Sequence, residues 1–239
     1  MKSDISMSTV QEHCFANSQL LVESLVKTIV TDLHNALDQR EQATLILSGG
    51  RTPIPLFRLL RQQLLPWSRI CISLSDDRWV AADHPDSNAG LVRRELLVGA
   101  AAQTRFVPLT NSAADPWSGH AESERLFQQL PRPLDVVILG MGDDGHTASL
   151  FPGSPELEQG LHEQAAATFA AMPPAGINHP RVSLTLATLL DSRQLYLHIE
   201  GERKWQRYLA AREPGPVEHC PVRAILQQRA VPLDLYWSP

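Results

Sequence analysis

The chain has 239 residues, of which 43% are hydrophobic and 20% are charged. This length and composition fit one large α/β domain or two small ones, and they exclude a disordered or fibrous chain. There are 21 lysines and arginines against 26 aspartates and glutamates, a formal net charge of -5. Such an acidic balance disfavours a general nucleic-acid-binding protein, so an anionic ligand needs a local cluster of positive charge.

The cysteines Cys14, Cys71 and Cys220 are far apart and form no CxxC pair. They indicate neither a zinc site nor a disulfide framework, so we expect a reduced, cytoplasmic protein. The apolar runs are too short to predict a membrane-spanning helix. Residues 1–15 lack the apolar centre of a secretory signal, and we expect them to form a loose tail before a single domain over residues 16–239.

The first half of the chain alternates between helix and strand patterns. Leu21, Leu25 and Ile29 begin a four-residue period that predicts an amphipathic helix over residues 16–39. The apolar run at 44–47 predicts a short strand. The next predicted elements are a helix opened by Pro53 and carrying Leu56 to Leu64, a strand over 70–74, a helix capped by Ser87, a strand over 105–109 and a helix over 115–130.

The second half contains the clearest strand pattern, an apolar run over 134–139 of the kind found in buried central strands. The other predicted elements are strands over 165–171, 181–186 and 194–199, a helix over 202–211 and a short strand over 233–236. This alternation favours a mostly parallel sheet with both faces covered. Because such sheets bind ligands at the carboxyl ends of their strands, residues that follow predicted strands are the candidates for function.

The first candidate segment, Ser48-Gly49-Gly50-Arg51-Thr52, follows the strand at 44–47. Two glycines let the backbone approach a ligand closely, and free N–H groups at a helix start attract an anion. The side chains of Ser48, Arg51 and Thr52 add hydrogen-bond donors. The segment indicates either a phosphate site or an ordinary strand-to-helix turn.

The second candidate segment, Asp76-Asp77-Arg78, follows the strand at 70–74. Adjacent acids beside an arginine suit acid–base chemistry or the binding of sugar hydroxyls, and they equally suit a solvated, ion-paired loop. Asp83, His84 and Asp86 follow closely. No second histidine or cysteine lies at ligand spacing, so we predict no metal site.

The third candidate segment follows the strand at 134–139 and contains a G-x-G-x-x-G pattern between Gly140 and Gly145. A dinucleotide site also needs a long helix after the glycines and an acid about 20 residues further on. Pro152 and Gly153 interrupt any helix, and no acid ends the next predicted strand, so a nucleotide cofactor is disfavoured. What remains is a glycine loop that presents Asp144 and His146, with His146 either a general base or a structural histidine.

Two further cations stand beside predicted strands. Arg181 begins the strand at 181–186, and Lys204 follows the strand at 194–199. Each is a candidate phosphate ligand or a surface charge.

Taken together, these segments resemble the 6-phosphogluconolactonase family of the type related to glucosamine-6-phosphate deaminase. The resemblance extends from about residue 44 to 226. It is carried by Leu-Ser-Gly-Gly-Arg-Thr-Pro at 47–53, Asp-Asp-Arg-Trp-Val at 76–80 with His84 and Ser87-Asn88, the block at 140–153, Arg-Val-Ser-Leu-Thr-Leu at 181–186 and Gly-Glu-Arg-Lys at 201–204. The block at 140–153 is the most specific part. Arg51 stands where the family usually has Ser or Thr, Asp77 where it commonly has Glu, and Ala81 at a Pro position.

The resemblance implies a three-layer α/β/α, Rossmann-like fold with a mostly parallel sheet, shared with glucosamine-6-phosphate deaminase and ribose-5-phosphate isomerase. It implies hydrolysis of 6-phospho-D-glucono-1,5-lactone to 6-phospho-D-gluconate in the oxidative pentose phosphate pathway, with no metal or cofactor. His146 would be the general base, and Asp144 would orient either its imidazole or a hydroxyl. The residues implied to bind the substrate and its phosphate are Ser48, Gly49, Gly50, Arg51, Thr52, Asp76, Arg78, Arg181 and Lys204.

The expected ligand is therefore a small sugar-phosphate lactone, with no nucleic-acid or membrane partner, bound by a monomer or a small homo-oligomer. One alternative is a non-catalytic sugar-phosphate sensor; such sensors often lose the catalytic residues, whereas His146 and Asp144 are present here. The other is an amino-sugar phosphate deaminase or isomerase. Those relatives carry Asp-Glu-Tyr in place of Asp76-Asp77-Arg78, and a glutamate in the glycine-loop block that this chain lacks.

Overall fold

The computed structural model describes residues 10–162, 164–173 and 176–239. Its strands are β1 (Gln11–Cys14), β2 (Ala43–Leu47), β3 (Ile70–Leu74), β4 (Asp76–Arg78), β5 (Arg105–Phe106), β6 (Leu134–Leu139), β7 (Thr168–Ala171), β8 (Arg181–Leu184), β9 (Ser192–Glu200) and β10 (Leu233–Ser238). Its α-helices are α1 (Ser18–Gln39), α2 (Ile54–Leu60), α3 (Asn88–Glu95), α4 (Pro116–Phe127), α5 (Leu157–Leu161), α6 (Leu186–Leu190), α7 (Glu202–Arg212) and α8 (Val222–Gln227).

The main sheet has seven strands in the order β1-β10-β9-β6-β2-β3-β5. Each neighbouring pair is parallel. Every residue of β2, β3 and β6 is buried, so the centre of the sheet is covered on both faces. This is why these strands read as continuous apolar runs. The predicted α/β fold with a mostly parallel sheet is confirmed.

Helix α1 buries one apolar stripe in the core. Leu21, Leu25 and Ile29 are fully buried at the predicted four-residue spacing. Burying a side chain of this size contributes about 1.5–3 kcal/mol, so the stripe holds the helix in place. The side chain of Asn17 accepts a hydrogen bond from the N–H of Leu20 at 3.0 Å. This cap makes the helix begin at Ser18 rather than at residue 16.

A second sheet of three antiparallel strands, in the order β4-β8-β7, was not predicted. Its strand β4 is the Asp76–Arg78 segment, for which a loop was one interpretation. The register places Asp76 opposite Ser183 and Arg78 opposite Arg181. Because opposite residues of an antiparallel pair have neighbouring side chains, this sheet brings two arginines together from distant parts of the chain.

The N-terminal boundary also differs from the expected one. Gln11–Cys14, placed in a loose tail by the sequence, forms strand β1 at the edge of the main sheet, so that part of the prediction is wrong. Gln11 pairs with Asp234 and Cys14 with Trp237. The strand has no buried residue, so backbone pairing holds it and no apolar pattern reveals it. Residues 1–9 lie outside the described residues, and a single domain over 16–239 stays a prediction.

Several element boundaries also differ from the predicted ones. The strands predicted over 105–109 and 165–171 cover only Arg105–Phe106 and Thr168–Ala171. Helix α2 ends at Leu60, and Leu64 is 94% exposed instead of packing in the core. The predicted strand over 181–186 ends at Leu184, because the hydroxyl of Thr185 accepts the N–H of Thr188 at 3.3 Å and starts helix α6. Within the described ranges, no helix combines the length and the apolarity needed to cross a bilayer.

Candidate active site

A cavity of about 420 Å³ lies at the carboxyl ends of β2, β3, β6 and β9. All the predicted site residues except Asp144 line it. They are Ser48, Gly49, Gly50, Arg51, Thr52, Asp76, Arg78, His146, Arg181 and Lys204. Five separate segments of the sequence therefore meet at the edge of the sheet where ligands of such folds bind.

Asp144 stands behind His146 and completes a pair. Its Oδ1 is 2.6 Å from Nδ1 of His146, and it accepts the backbone N–H of His146 at 3.0 Å. Burial opposes ionisation of Asp144, but the hydrogen bond and charge of His146 outweigh it and lower the pKa of the carboxyl. The carboxylate therefore holds the proton of His146 on Nδ1, which leaves the lone pair on Nε2.

Glycines allow the loop that carries this pair to fold tightly. Gly145 has a φ of +87°, and a Cβ there would lie 2.4 Å from Sγ of Cys220. A Cβ on Gly142 would lie 2.2 Å from the ring of His146. Two of the three glycines in the G-x-G-x-x-G pattern, Gly142 and Gly145, are thus explained by close packing within this loop and against Cys220.

Arg207 of helix α7 holds the same loop from outside. Its Nε donates to the carbonyl of Asp143 at 2.9 Å, and its Nη2 donates to the carbonyl of Asp144 at 2.8 Å. Sequence reasoning missed this residue, because an arginine inside a helix carries no sign that it reaches a loop more than 60 positions away. It fixes the backbone from which Asp144 reaches His146.

The segment between β2 and α2 presents free donors. Among the described residues, no acceptor takes the backbone N–H groups of Gly49, Gly50 or Thr52. A Cβ on Gly49 would lie 1.9 Å from Oδ1 of Asn88, and Gly50 has a φ of +89°. Both positions therefore require glycine, and the backbone between them is open to an anion.

The two arginines of the small sheet also face the cavity. Nη1 of Arg78 donates to the carbonyl of Asp86 at 2.7 Å. Arg181 is 6% exposed, and its guanidinium lies 5.6 Å from the ring centre of Phe151. Burial lowers the pKa of Arg181, although the charge of Asp76 opposes the shift. The Nε atoms of both arginines are buried without a hydrogen-bond partner in the described part of the chain, so this pair has donors to spare.

The two acids of β4 have different roles. Asp77 is fully buried, and its carboxylate accepts the N–H groups of Arg78, Asn88 and Ala89 at 2.7–3.0 Å. Burial raises the pKa of Asp77 to about 6, while these hydrogen bonds oppose the shift. Asp76 lines the cavity and accepts the hydroxyl of Ser149 at 2.7 Å. The solvated-loop interpretation is therefore wrong, and Asp77 anchors the start of helix α3.

His198 of strand β9 is a cavity residue that sequence reasoning missed. It is 3% exposed, and its Nε2 is 3.0 Å from Oε1 of Glu200. The hydrogen bond from His198 lowers the pKa of Glu200, and the charge of the nearby Lys204 contributes. Nothing in the strand pattern distinguishes an imidazole that lines a cavity from one in the core.

The site is a basic, glycine-lined cavity with a histidine–carboxylate pair at the edge of a parallel sheet, which defines an α/β protein built to bind and process a small anion. A family model described as glucosamine-6-phosphate isomerases/6-phosphogluconolactonase matches residues 16–237. The chain belongs to this family.

Named relatives agree with this assignment. A 6-phosphogluconolactonase of Pseudomonas putida is 38% identical over 97% of this chain and 94% of its own length. The crystal structure of a 6-phosphogluconolactonase from Shewanella baltica OS155 superposes with a TM-score of 0.95 at 40% identity, over 98% of this chain and all of the other. A monomeric glucosamine-6-phosphate deaminase shares the fold, with a TM-score of 0.77 at 17% identity over 95% of this chain and 97% of its own.

Proposed function

We propose that this protein hydrolyses 6-phospho-D-glucono-1,5-lactone to 6-phospho-D-gluconate, a step of the oxidative pentose phosphate pathway. One observation carries the proposal: His146, with Asp144 behind it, lines the same cavity as Arg78, Arg181 and Lys204. Family membership and the names of the relatives support the substrate class. This metabolic role accords with a cytoplasmic protein, while a monomer or small homo-oligomer without nucleic-acid or membrane partners stays a prediction.

His146 acts as the general base in this proposal. Its Nε2 removes a proton from a water molecule as the water oxygen attacks the lactone carbonyl carbon. When the tetrahedral intermediate collapses, the bond from that carbon to the ring oxygen breaks. The imidazolium returns its proton to the ring oxygen, and the product acid then ionises. Asp144 stabilises the imidazolium between the two proton transfers.

His198 also lines the cavity, but its surroundings favour it less as the base. Its side chain is 2% exposed, against 31% for His146, so water reaches it poorly. Its Nε2 is already bonded to Glu200. His198 therefore serves as a matched control for His146.

The substrate phosphate binds where donors outnumber acceptors. The backbone N–H groups of Gly49, Gly50 and Thr52 are free to receive phosphate oxygens. Arg181 and Lys204 supply the positive charge that a dianion needs in a chain with an overall charge of -5.

The remaining polar groups of the cavity bind the rest of the sugar. Ser48 and Arg51 add donors beside the glycines, and Asp76 accepts sugar hydroxyls. Arg78 contacts either the phosphate or the lactone carbonyl, which it would polarise. A lactone is reactive enough for a general base alone, so the proposed steps use no metal or cofactor.

The test follows the formation of 6-phosphogluconate from freshly prepared lactone with a coupled dehydrogenase, with and without EDTA, against the spontaneous rate. Wild type, His146→Ala and His198→Asn are measured over a range of pH. Acceleration by wild type should fall on the acid side, because a protonated imidazole cannot accept a proton. His146→Ala should lose most of the acceleration and the acid limb, whereas His198→Asn should keep that limb.

Each other outcome has a definite meaning. Binding of 6-phosphogluconate without any acceleration would replace the lactonase proposal with a sugar-phosphate sensor. Acceleration that survives in His146→Ala but disappears in His198→Asn would move the base to His198. Inhibition by EDTA would require a metal in the mechanism.

A further inference from the structure

A group of three metal-ligating side chains lies beside the cavity, on residues that the proposed reaction does not use. His84 and Asp86 come from the turn before helix α3, and His179 comes from the segment before β8. One ligand atom of each residue lies within 4.8 Å of the others. Oδ2 of Asp86 is 3.1 Å from Nε2 of His179 and 3.9 Å from Nδ1 of His84. The sequence predicts no metal site, because no second histidine lies near His84 in the chain. The fold brings in His179, which lies 93 positions after Asp86.

We propose that His84, Asp86 and His179 form a binding site for one Zn²⁺ ion per chain. Two imidazoles and a carboxylate are donors that zinc prefers, with water filling the fourth position. Zinc bonds of about 2.0–2.2 Å in a tetrahedron separate neighbouring donors by about 3.3 Å. The distances of 3.1 and 3.9 Å from Oδ2 of Asp86 bracket that value.

The side chains are accessible to an incoming ion. Exposure is 37% for the side chain of His84, 52% for Asp86 and 30% for His179. Nδ1 of His84 accepts the backbone N–H of Asp86 at 3.1 Å, so this ring keeps its proton on Nε2 and its lone pair on the side of the carboxylate. When zinc binds, Nδ1 of His84 coordinates the metal and no longer accepts the backbone N–H of Asp86.

The backbone of His179 is a second observation in favour of a ligand role. Its φ is +68°, in the left-handed region that glycine adopts freely and other residues adopt at a cost. The ring of His179 lies edge-on to the ring of His84, with 5.2 Å between the ring centres, so the strained backbone places the two imidazoles side by side. Strained positions of this kind cluster at ligand sites, where the side chain has a use that offsets the strain.

The zinc site adjoins the cavity without entering it. The carbonyl of Asp86 accepts a hydrogen bond from Arg78, and Arg181 follows His179 by two residues. A bound ion joins the turn at residues 83–86 to the segment at 176–181, which flank these two arginines. We therefore expect zinc to stabilise the fold at this rim, independently of the reaction proposed above.

The test uses the full chain, treated with EDTA and then desalted. Titration with ZnCl₂ in a calorimeter should give one site per chain. At a free zinc concentration of about 100 Kd, the Tm should rise by about 5–10 °C. MgCl₂ should produce no shift, because Mg²⁺ prefers oxygen ligands.

Variants locate the binding. In His179→Gly the backbone conformation is retained by the residue that favours it, so this variant should fold and should bind zinc at least about 10-fold more weakly. Asp86→Asn should weaken binding similarly. His13→Ala is the matched control: it removes a different histidine–aspartate pair, 3.5 Å apart and near the exposed Cys14.

The proposal is supported if His179→Gly and Asp86→Asn lose the zinc-dependent rise in Tm and His13→Ala keeps it. It is overturned if zinc does not raise the Tm of wild type. It is also overturned if binding survives in His179→Gly, or if His13→Ala alone abolishes it. The metal-free Tm of each variant, measured beside that of wild type, shows whether the variant is folded.

Discussion

Replacing Asp144 with asparagine tests whether the carboxylate supports catalysis through His146. Asparagine keeps a side-chain oxygen that can accept the backbone N–H of His146, which lies 3.0 Å from Oδ1 of Asp144 in the wild type. The loop should therefore keep its shape. It removes the negative charge that lies 2.6 Å from Nδ1 of His146. The imidazolium formed during the reaction then loses its charged partner.

The size of the effect follows from this geometry. A hydrogen bond to a charged group contributes about 1.5–3 kcal/mol, and about 1.4 kcal/mol corresponds to a tenfold change in rate. Asp144→Asn should therefore lower kcat/KM by about 10- to 150-fold. The Asp144 side chain is 41% exposed, so solvent weakens the interaction and the loss should lie nearer the lower value.

Steady-state kinetics of Asp144→Asn, His146→Ala and the double variant provide the assay. If Asp144 acts only through His146, its replacement should cost nothing further once the imidazole is absent, within about 0.5 kcal/mol. The reasoning is refuted if the two losses add fully in the double variant, or if Asp144→Asn alone retains wild-type kcat/KM.

Three further predictions concern the phosphate ligands, the pH dependence of stability and the glycine loop. Arg181→Ala and Lys204→Ala should raise KM more than they lower kcat, because they act on a remote phosphate; an unchanged KM in both would remove them from the phosphate site. Glu124 accepts three hydrogen bonds from residues 167 and 168, and although burial opposes its ionisation, these bonds lower its pKa. Its stabilising effect is therefore present above its unfolded pKa of about 4.5 and lost as the pH falls through the lowered value. Glu124→Gln should lower the free energy of unfolding by about 1.5–3 kcal/mol at pH 7 and by progressively less in acid, as measured by urea unfolding. An equal loss at pH 7 and in acid would contradict this. Gly145→Ala should lower the free energy of unfolding by about 1–3 kcal/mol through its positive φ and its clash with Cys220, and adding Cys220→Ala should restore only the part due to the clash.

Much of the fold could be predicted because its signals are local. The apolar runs predicted strands over 70–74 and 134–139, which are the observed bounds of β3 and β6. A strand buried on both faces needs apolar residues throughout, so its pattern does not depend on the neighbour it finds. The edge strand β1 carries no such pattern, and the sequence missed it.

The candidate site was predicted in part for a related reason. Residues at the ends of buried strands share one edge of a parallel sheet, so His146 and the glycines at 49 and 50 were expected at the same place. Their motifs also carried the family resemblance. Sequence reasoning missed Arg207 and His198, because they lie inside a helix and a strand. In such an element, the sequence does not distinguish a functional polar side chain from a structural one.

The sequence by itself determined the α/β class, the parallel centre of the sheet, the family and most of the cavity residues, because apolar periodicity and compact motifs act over short stretches of chain. Tertiary structure decided the small sheet that pairs Arg78 with Arg181, the burial of Asp77 and the meeting of His84 and Asp86 with His179. These contacts join residues far apart in the chain. A polar side chain looks the same in a sequence whether it is solvated, buried or aimed at a partner, and only the folded chain distinguishes these states.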